Sequence, residues 1–388
     1  MAETLDLVLL YGPPWDGPAQ FSKHHLARYF AGRGHRVLYV EAPLGPLSLV
    51  RRRRQAWPEL RATLRPPRRV ADRLWVRRYF NPVPYHSVTW ATSTRTANQL
   101  GQRLLAPSLR RDLARLRLRR PVVIAGLPQT VDLLPRLARR GLAYHCADDY
   151  AHVRGFPRSL PDLEADLCRR ADLVVTTSET LCQSRARFNP HTCWIPNGAD
   201  VEHFSAPAAP AEELRNVPHP IVGFVGGLSE WVDLDLVARL ARQRPEWTFL
   251  LVGPVGIDTS AVDALPNVRL LGPRPYADLP ALLAAMDVGL IPFKRNDVTY
   301  HADPIKAYEY LAAGLPVVAT DMPALRRLTP LVALAESAEG FQHGIRAALE
   351  AGRDAGRAER QAEARRHGWT SRFECFERLV ENQLACAS

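Results

Sequence analysis

Short apolar runs alternate with amphipathic stretches along most of this chain. "LVLLYG" (7–12) is an apolar run, and "FSKHHLARYFAGRG" (21–34) places Phe21, His25, Leu26 and Tyr29 near helical spacing before Gly32 and Gly34 end it. "RVLYVE" (36–41) is apolar again, and the rhythm returns at "VVIAG", "LAYHC", "DLVVTT" and "TCWIP". Apolar runs too short for helices, separated by helical segments, predict parallel strands buried on both faces. A second series follows from residue 221: "IVGFVGG", "TFLLVG", "VRLLG", "DVGLIPF", "LPVVATD" and "LVALAES". Between the series, "VEHFSAPAAPAEELRNVPHP" (201–220) has the Pro- and Ala-rich composition of a linker, centred on 205–216. The expected fold is therefore α/β with two Rossmann-like domains, 1–204 and 205–368. A helix at 369–388 should follow, capped by Thr370 or Ser371, with Phe373, Phe376, Leu379 and Val380 on one face. Ligands of open α/β sheets bind beyond the carboxyl ends of the strands, so a cleft between two such sheets is the expected site.

Composition adds size and compartment. A chain of 388 residues, 46% hydrophobic, is long enough for two full cores. No apolar stretch reaches the ~18–20 residues of a membrane span. The start, "MAETLDLVLL", puts its acidic residues ahead of the apolar run, unlike a secretory signal. The expected location is cytoplasmic, at the inner face of the membrane if the basic surface meets lipid. Six scattered cysteines without a Cys-x-x-Cys pair predict reduced packing residues.

The net charge of +11 is concentrated. Residues 51–78 hold eleven arginines against two acids, with Trp57 and Trp75 among them, and "RRDLARLRLRR" (110–120) is a second basic run. Such a surface suits anionic lipid or phosphate-linked substrates, and the alternative is a solvated face in an Arg-rich chain. No nucleic-acid motif accompanies the charge, so nucleic acid is not an expected partner. The arginine bias makes the three lysines (Lys23, Lys294 and Lys306) informative.

Lys306 lies in "HADPIKAYEYLAAGLPVVATD" (301–321). Asp303 followed by Pro304 predicts a helix N-terminus, and Gly314 a stop. A cation in the first turn opposes the helix dipole unless an anion binds there. Glu309 lies on nearly the same face, one turn deeper, where a carboxylate can accept hydrogen bonds from ribose hydroxyls. The competing reading is a plain Lys306–Glu309 ion pair on a surface helix.

The stretches "IPNGADVEHF", "GFVGGLSE", "LVGP", "NVRLLGPRPYADLPALLAAMDVGLIPF" and "PIKAYEYLAAGLPVVATDMP" together resemble the donor half of a GT-B glycosyltransferase near family 4. The amino-terminal "YGPPWDGPAQFSKHHLARYFAGRGHRVLYVE" resembles that family's first strand, loop and helix, and "WTSRFECFERLV" its closing crossover helix. The resemblance implies that Glu309 holds the donor ribose as the second Glu of a Glu-x7-Glu pattern. The first position is His301, a departure from the retaining family-4 form. The loop "GGLSEWVDLD" also lacks the Arg and Lys that the family places after its Gly-Gly turn. The diphosphate must then find its charge at Lys306, with Ile305 beside it. In these departures the chain looks more like bacterial glucuronosyltransferases and teichuronic-acid-type transferases. Gly226 and Gly227 would admit the phosphates, and the resemblance implies that the backbone of "GPRPY", with Arg274 on the donor side, contacts the nucleobase with Tyr276 as a stacking ring; the alternative is an ordinary turn.

For the acceptor half, "HCADDY" puts Asp148 and Asp149 at the carboxyl end of a strand. Either can be the base that deprotonates an acceptor hydroxyl, and either can be a helix cap. Asp16 in "GPPWDG" is a further candidate; His145 reads as packed. Asp233 and Asp235 spell Asp-x-Asp at a helix start, where acids favour the dipole, and are read as structural rather than metal ligands. No metal and no cofactor is expected; the nucleotide sugar is a substrate. The sequence thus points to a metal-independent hexosyltransferase acting from a UDP-sugar on a glycan or lipid-linked acceptor, with peripheral membrane contact through 51–78. The alternatives are a natural-product glycosyltransferase with a soluble acceptor and a nucleotide-sugar 2-epimerase.

Overall fold

A computed structural model describes residues 4–17, 19–51, 56–85, 91–153 and 155–386. The chain forms two compact units: Met1–Ile195 with Phe373–Ser388, and Pro196–Arg372.

The first unit is built on an eight-stranded sheet. Its strands are β1 (Asp6–Gly12), β2 (Arg36–Glu41), β3 (Arg68–Ala71), β4 (Leu74–Arg77), β5 (Val122–Ala125), β6 (Gly141–Cys146), β7 (Leu173–Thr176) and β8 (Thr192–Trp194). Their order is β3-β4-β2-β1-β5-β6-β7-β8, parallel throughout except for the antiparallel edge pair β3–β4. Strands β5, β6 and β7 are buried along their whole length, as expected where both faces are covered. The core beneath them joins Leu10, Val123 and Tyr144 to helical residues such as Leu109 and Leu167.

The second unit has six parallel strands: β9 (Ile221–Val225), β10 (Thr248–Val252), β11 (Val268–Gly272), β12 (Val288–Ile291), β13 (Val317–Thr320) and β14 (Val332–Ala335). Their order is β11-β10-β9-β12-β13-β14. Apart from the β3–β4 edge pair, the strand order of each sheet reverses between β1 and β5 in the first and between β9 and β12 in the second. Those reversals mark where an open sheet leaves a ligand crevice.

Three details differ from the sequence reading. The segment 205–216 is not a free linker. Leu214 lies in the core of the second unit with the flanking Phe204 and Val217, so one buried leucine outweighs a loop-like composition. The last helix, Trp369–Cys386, begins ahead of Thr370 and Ser371, which therefore sit in its first turn rather than at its cap. Its Phe373, Phe376 and Val380 are buried as expected, while Leu379 is half-buried. That helix is tied to the first unit through Glu377, which accepts hydrogen bonds from Tyr29 Oη and His35 Nε2, each at 2.7 Å.

No helix among the described residues is long and apolar enough to cross a membrane. Cys146, Cys168, Cys182, Cys193 and Cys375 are free thiols.

Candidate active site

In the second unit the helix carrying Lys306 runs Ile305–Ala312. Its N-cap is Pro304, in extended conformation, and not Asp303. Asp303 is drawn away because its carboxylate is buried and bound three ways. It accepts from Tyr308 Oη at 2.7 Å, from the Asn197 backbone N–H at 2.8 Å and from Arg327 Nη2 at 3.2 Å. Burial pushes the Asp303 pKa up, and the Arg327 charge opposes that shift. The Asn197 side chain also donates to the Asp303 carbonyl at 2.7 Å. The "IPNG" segment is thereby fastened to the start of this helix, and the helix start is rigid.

Lys306 is the second residue of the helix. Its Nζ lies 2.6 Å from Glu309 Oε2, with Lys306 partly exposed and Glu309 buried. Tyr310, on the same helix, lies under the end of β9, where its hydroxyl oxygen accepts from the Val225 N–H at 2.7 Å. Tyr310 thus ties the helix to the strand that runs into the turn formed by Gly226 and Gly227. The turn is tight: a Cβ on Gly253, whose φ is +147°, would sit 2.0 Å from the Gly226 carbonyl oxygen. Only glycine suits such a close approach at that backbone angle. The second unit thus holds a cation and a buried carboxylate in the first turns of one helix, and that helix is bonded to the strand leading into the Gly226–Gly227 turn.

The other donor-side residues are engaged within the protein. The Tyr276 ring stacks on His203 at 4.5 Å between centroids, and His203 Nε2 lies 3.0 Å from the Tyr276 carbonyl oxygen. Arg274 forms a two-pronged ion pair with Glu213, at 3.0 and 2.8 Å. The His301 ring packs edge-on against Tyr300. Ile305 opens the helix and is half-buried. Asp233 is the N-cap of the helix Leu234–Gln243, accepting from the Leu236 N–H at 2.8 Å, and Asp235 lies in its first turn.

In the first unit the structure separates the two adjacent aspartates. Asp149 is buried and bound to Arg185 at 2.9 Å and to His152 Nδ1 at 2.7 Å. Arg185 also holds Glu164 at 2.8 Å, and Glu164 accepts from Tyr144 Oη at 2.7 Å, forming a buried network. Burial raises the Asp149 pKa, but the hydrogen bonds from Arg185 and His152 outweigh it, and the net shift is downward. Asp148 is exposed, and its carboxylate has no hydrogen-bond or ion-pair partner among the described residues. Desolvation by surrounding protein raises its pKa, Lys23 opposes that and Asp149 adds to it. Contact with solvent at its surface tempers the rise. Neither aspartate caps a helix. Asp16 is exposed and pairs with Arg68 Nη2 at 2.5 Å.

Two groups escaped the sequence reading. Arg185, which sorts the aspartates, carries no local signal in a chain so rich in arginine. Lys23 carried one, its rarity, and lies buried near Asp148. Arg52–Arg54 of the basic stretch lie outside the described residues. Further along it, Trp57 is 71% and Leu64 81% exposed.

Comparison with known proteins bears on both units. Residues 219–351 match the family described as glycosyl transferases group 1. A segment of 177 residues is 32% identical to TuaH of Bacillus subtilis, named as a teichuronic acid biosynthesis glycosyltransferase. That match covers 42% of this chain and 44% of the relative, less than half of its length. Sucrose-phosphate synthase from Thermosynechococcus elongatus superposes with a TM-score of 0.71 at 16% identity, over 99% of this chain and all of that one. HepE of Anabaena, solved in complex with UDP, gives 0.66 at 18% identity, over 98% of this chain and all of its own. An Escherichia coli structure titled for trehalose-6-phosphate and bound with UDP-2-fluoro glucose gives 0.67 at 15% identity, over 98% and 99%. At such identities the likeness establishes the fold, which is GT-B.

Proposed function

From a GT-B chain whose residues 219–351 form a glycosyl transferases group 1 domain, we infer a hexosyltransferase that takes its sugar from a nucleotide diphosphate donor. The observation that carries this is the Lys306–Glu309 pair at the head of the helix Ile305–Ala312, inside that domain. A diphosphate at the helix N-terminus competes with Glu309 for the Lys306 ammonium. Glu309, released from that pair, then accepts from the ribose hydroxyls. UDP is the favoured nucleotide, because two of the solved GT-B relatives carry UDP or a UDP-sugar.

The reaction follows from these parts. Asp148 takes the proton of an acceptor hydroxyl, and the oxygen's electron pair forms the new bond to the anomeric carbon. The bond from that carbon to the donor phosphate breaks, and its electrons leave with the nucleoside diphosphate. Lys306 and the helix N-terminus offset the charge that develops on the leaving group. A protein base on the acceptor belongs to direct displacement, which inverts the anomeric centre. Lys306 supplies the positive charge in place of a divalent ion. A thermal-shift screen across UDP-, GDP- and dTDP-sugars, run in EDTA, tests both claims. UDP-sugars should raise Tm most, and chelator should not diminish the shift. A shift that appears only when manganese is restored would contradict the metal-independent reading.

The acceptor we infer is a glycan, or a lipid-linked glycan met through residues 51–78. The exposed Trp57 and Leu64 lie among arginines there, a combination that suits an anionic bilayer surface. Replacing Trp57 and Leu64 with Ser should abolish co-flotation with anionic vesicles at physiological salt and leave nucleotide affinity unchanged. Equal flotation of variant and parent would favour a soluble acceptor.

A further inference from the structure

Among the three lysines, Lys294 is exposed and Lys306 is paired with Glu309. Lys23 differs from both. It is the second residue of the helix Ser22–Gly32 and is 7% exposed. Its ammonium has no hydrogen-bond or ion-pair partner among the described residues. Holding an unpaired ammonium in a largely desolvated place is costly, and a helix N-terminus adds to the cost. A side chain kept at such a loss is expected to serve a ligand.

Its location is a functional one. A Cβ on Gly126 would lie 2.7 Å from Lys23 Cε and 2.8 Å from the Leu10 carbonyl oxygen. The lysine stem therefore crosses the carboxyl ends of β1 and β5, where the strand order of the first sheet reverses. Tyr11, next to that point, has φ +64°, a strained angle for a residue with a side chain. Tyr150 Oη reaches the Gly126 carbonyl at 3.4 Å and brings the loop bearing Asp148 to the same spot. Asp148 is the leading charge acting on Lys23, and Lys23 the leading charge acting on Asp148, yet they form no direct ion pair. Close by, His145 is buried, and its Nδ1 is buried without a hydrogen-bond partner. Burial and the Lys23 charge hold the His145 pKa well below its ordinary value.

Two opposite charges that act on each other without a direct ion pair can be bridged by a group that is donor and acceptor at once. The geometry points to Lys23 and Asp148 as the two sides of one alcohol-binding site, in which a sugar hydroxyl accepts from Lys23 Nζ and donates to Asp148. A neutral hydroxyl fits this pair better than an anion, which Asp148 would repel. This rests on the reading of Asp148 as base. As the proton passes to Asp148 and the oxygen bonds to the anomeric carbon, the ammonium offsets the negative charge on that oxygen. Lys23 is then a catalytic residue in direct contact with the acceptor.

The test uses Lys23→Met, which keeps the stem and removes the charge. Relief of an unpaired, largely desolvated charge should leave Tm unchanged or raise it. Release of UDP from the UDP-sugar giving the largest thermal shift should fall by ~10²–10³-fold with UDP affinity unchanged, the range for losing one oxyanion donor. An activity-independent arm uses chain labelled with ¹⁵N-lysine, which gives three Nζ signals. The Lys23 signal should titrate below the ordinary lysine range, and Asp148→Asn should move it lower still. A Lys23→Met protein that is less stable than the parent and equally fast would overturn the proposal. So would a Lys23 titration indifferent to Asp148→Asn. If the parent releases no nucleotide from any donor, the transferase reading fails, and the NMR arm alone decides whether Lys23 and Asp148 share a site.

Discussion

Replacing Asp148 with Asn should lower kcat by ~10²–10⁴-fold, the usual worth of a general base, while the affinity for UDP stays unchanged. Asn keeps the shape of the side chain and removes its ability to take a proton. Asp148 is singled out because its carboxylate is unpaired and open to solvent, whereas its neighbour is consumed by Arg185 and His152. The raised pKa of Asp148 favours proton uptake from an alcohol. The matched variant, Asp149→Asn, should behave in the opposite way. It should cost about 1–3 kcal/mol of stability, because a charge-assisted bond to Arg185 is lost, and retain most activity per folded molecule. The pH dependence follows from the sign of its shift. A carboxylate whose folded pKa is depressed contributes stability that is present above its unfolded pKa and is lost as pH falls through the folded one. The gap between parent and Asp149→Asn should therefore be widest near neutral pH and close below the ordinary aspartate range. Denaturant unfolding at pH 7 and pH 3 measures it. Parental turnover by Asp148→Asn would remove the base from this loop and leave Asp16 next in line, although Arg68 already pairs with it.

Parts of this picture were legible before any coordinates. Strands buried on both faces must be apolar along their length, so "VVIA", "LVVT" and "VVAT" announced β5, β7 and β13. The helix Ile305–Ala312 was legible for a local reason too: a proline at its start and Gly314, with φ +71°, beyond its end. What eluded the sequence depends on partners distant along the chain. Asp148 and Asp149 are chemically identical neighbours, and only Arg185, placed under one of them by the fold, tells them apart. Asp303 looked like a cap until Arg327, Tyr308 and Asn197 claimed its carboxylate. Tyr276 read as a ring available for a nucleobase, and His203 stacks on it. The Ala- and Pro-rich stretch at 205–216 read as linker because composition averages over Leu214, the residue that buries it. Lys23 was visible as a rarity, but its burial against Gly126 was not, since the contact joins a helix start to the end of β5.

The second large effect concerns the donor. Glu309→Ala should weaken UDP binding by about 2–3 kcal/mol, the worth of charge-assisted hydrogen bonds to the ribose. The buried carboxylate is held in place by Lys306 and by a helix anchored at both Asp303 and Tyr310. Removing it should take the ribose contact and leave the anchors intact, so the variant should remain folded. Isothermal titration of UDP into the parent and into Glu309→Ala decides whether this carboxylate holds the nucleotide. The parent should bind UDP measurably, and the dissociation constant of the variant should be raised by ~30–150-fold. Equal affinity in the two proteins, or no binding of UDP by the parent, would contradict that role for Glu309.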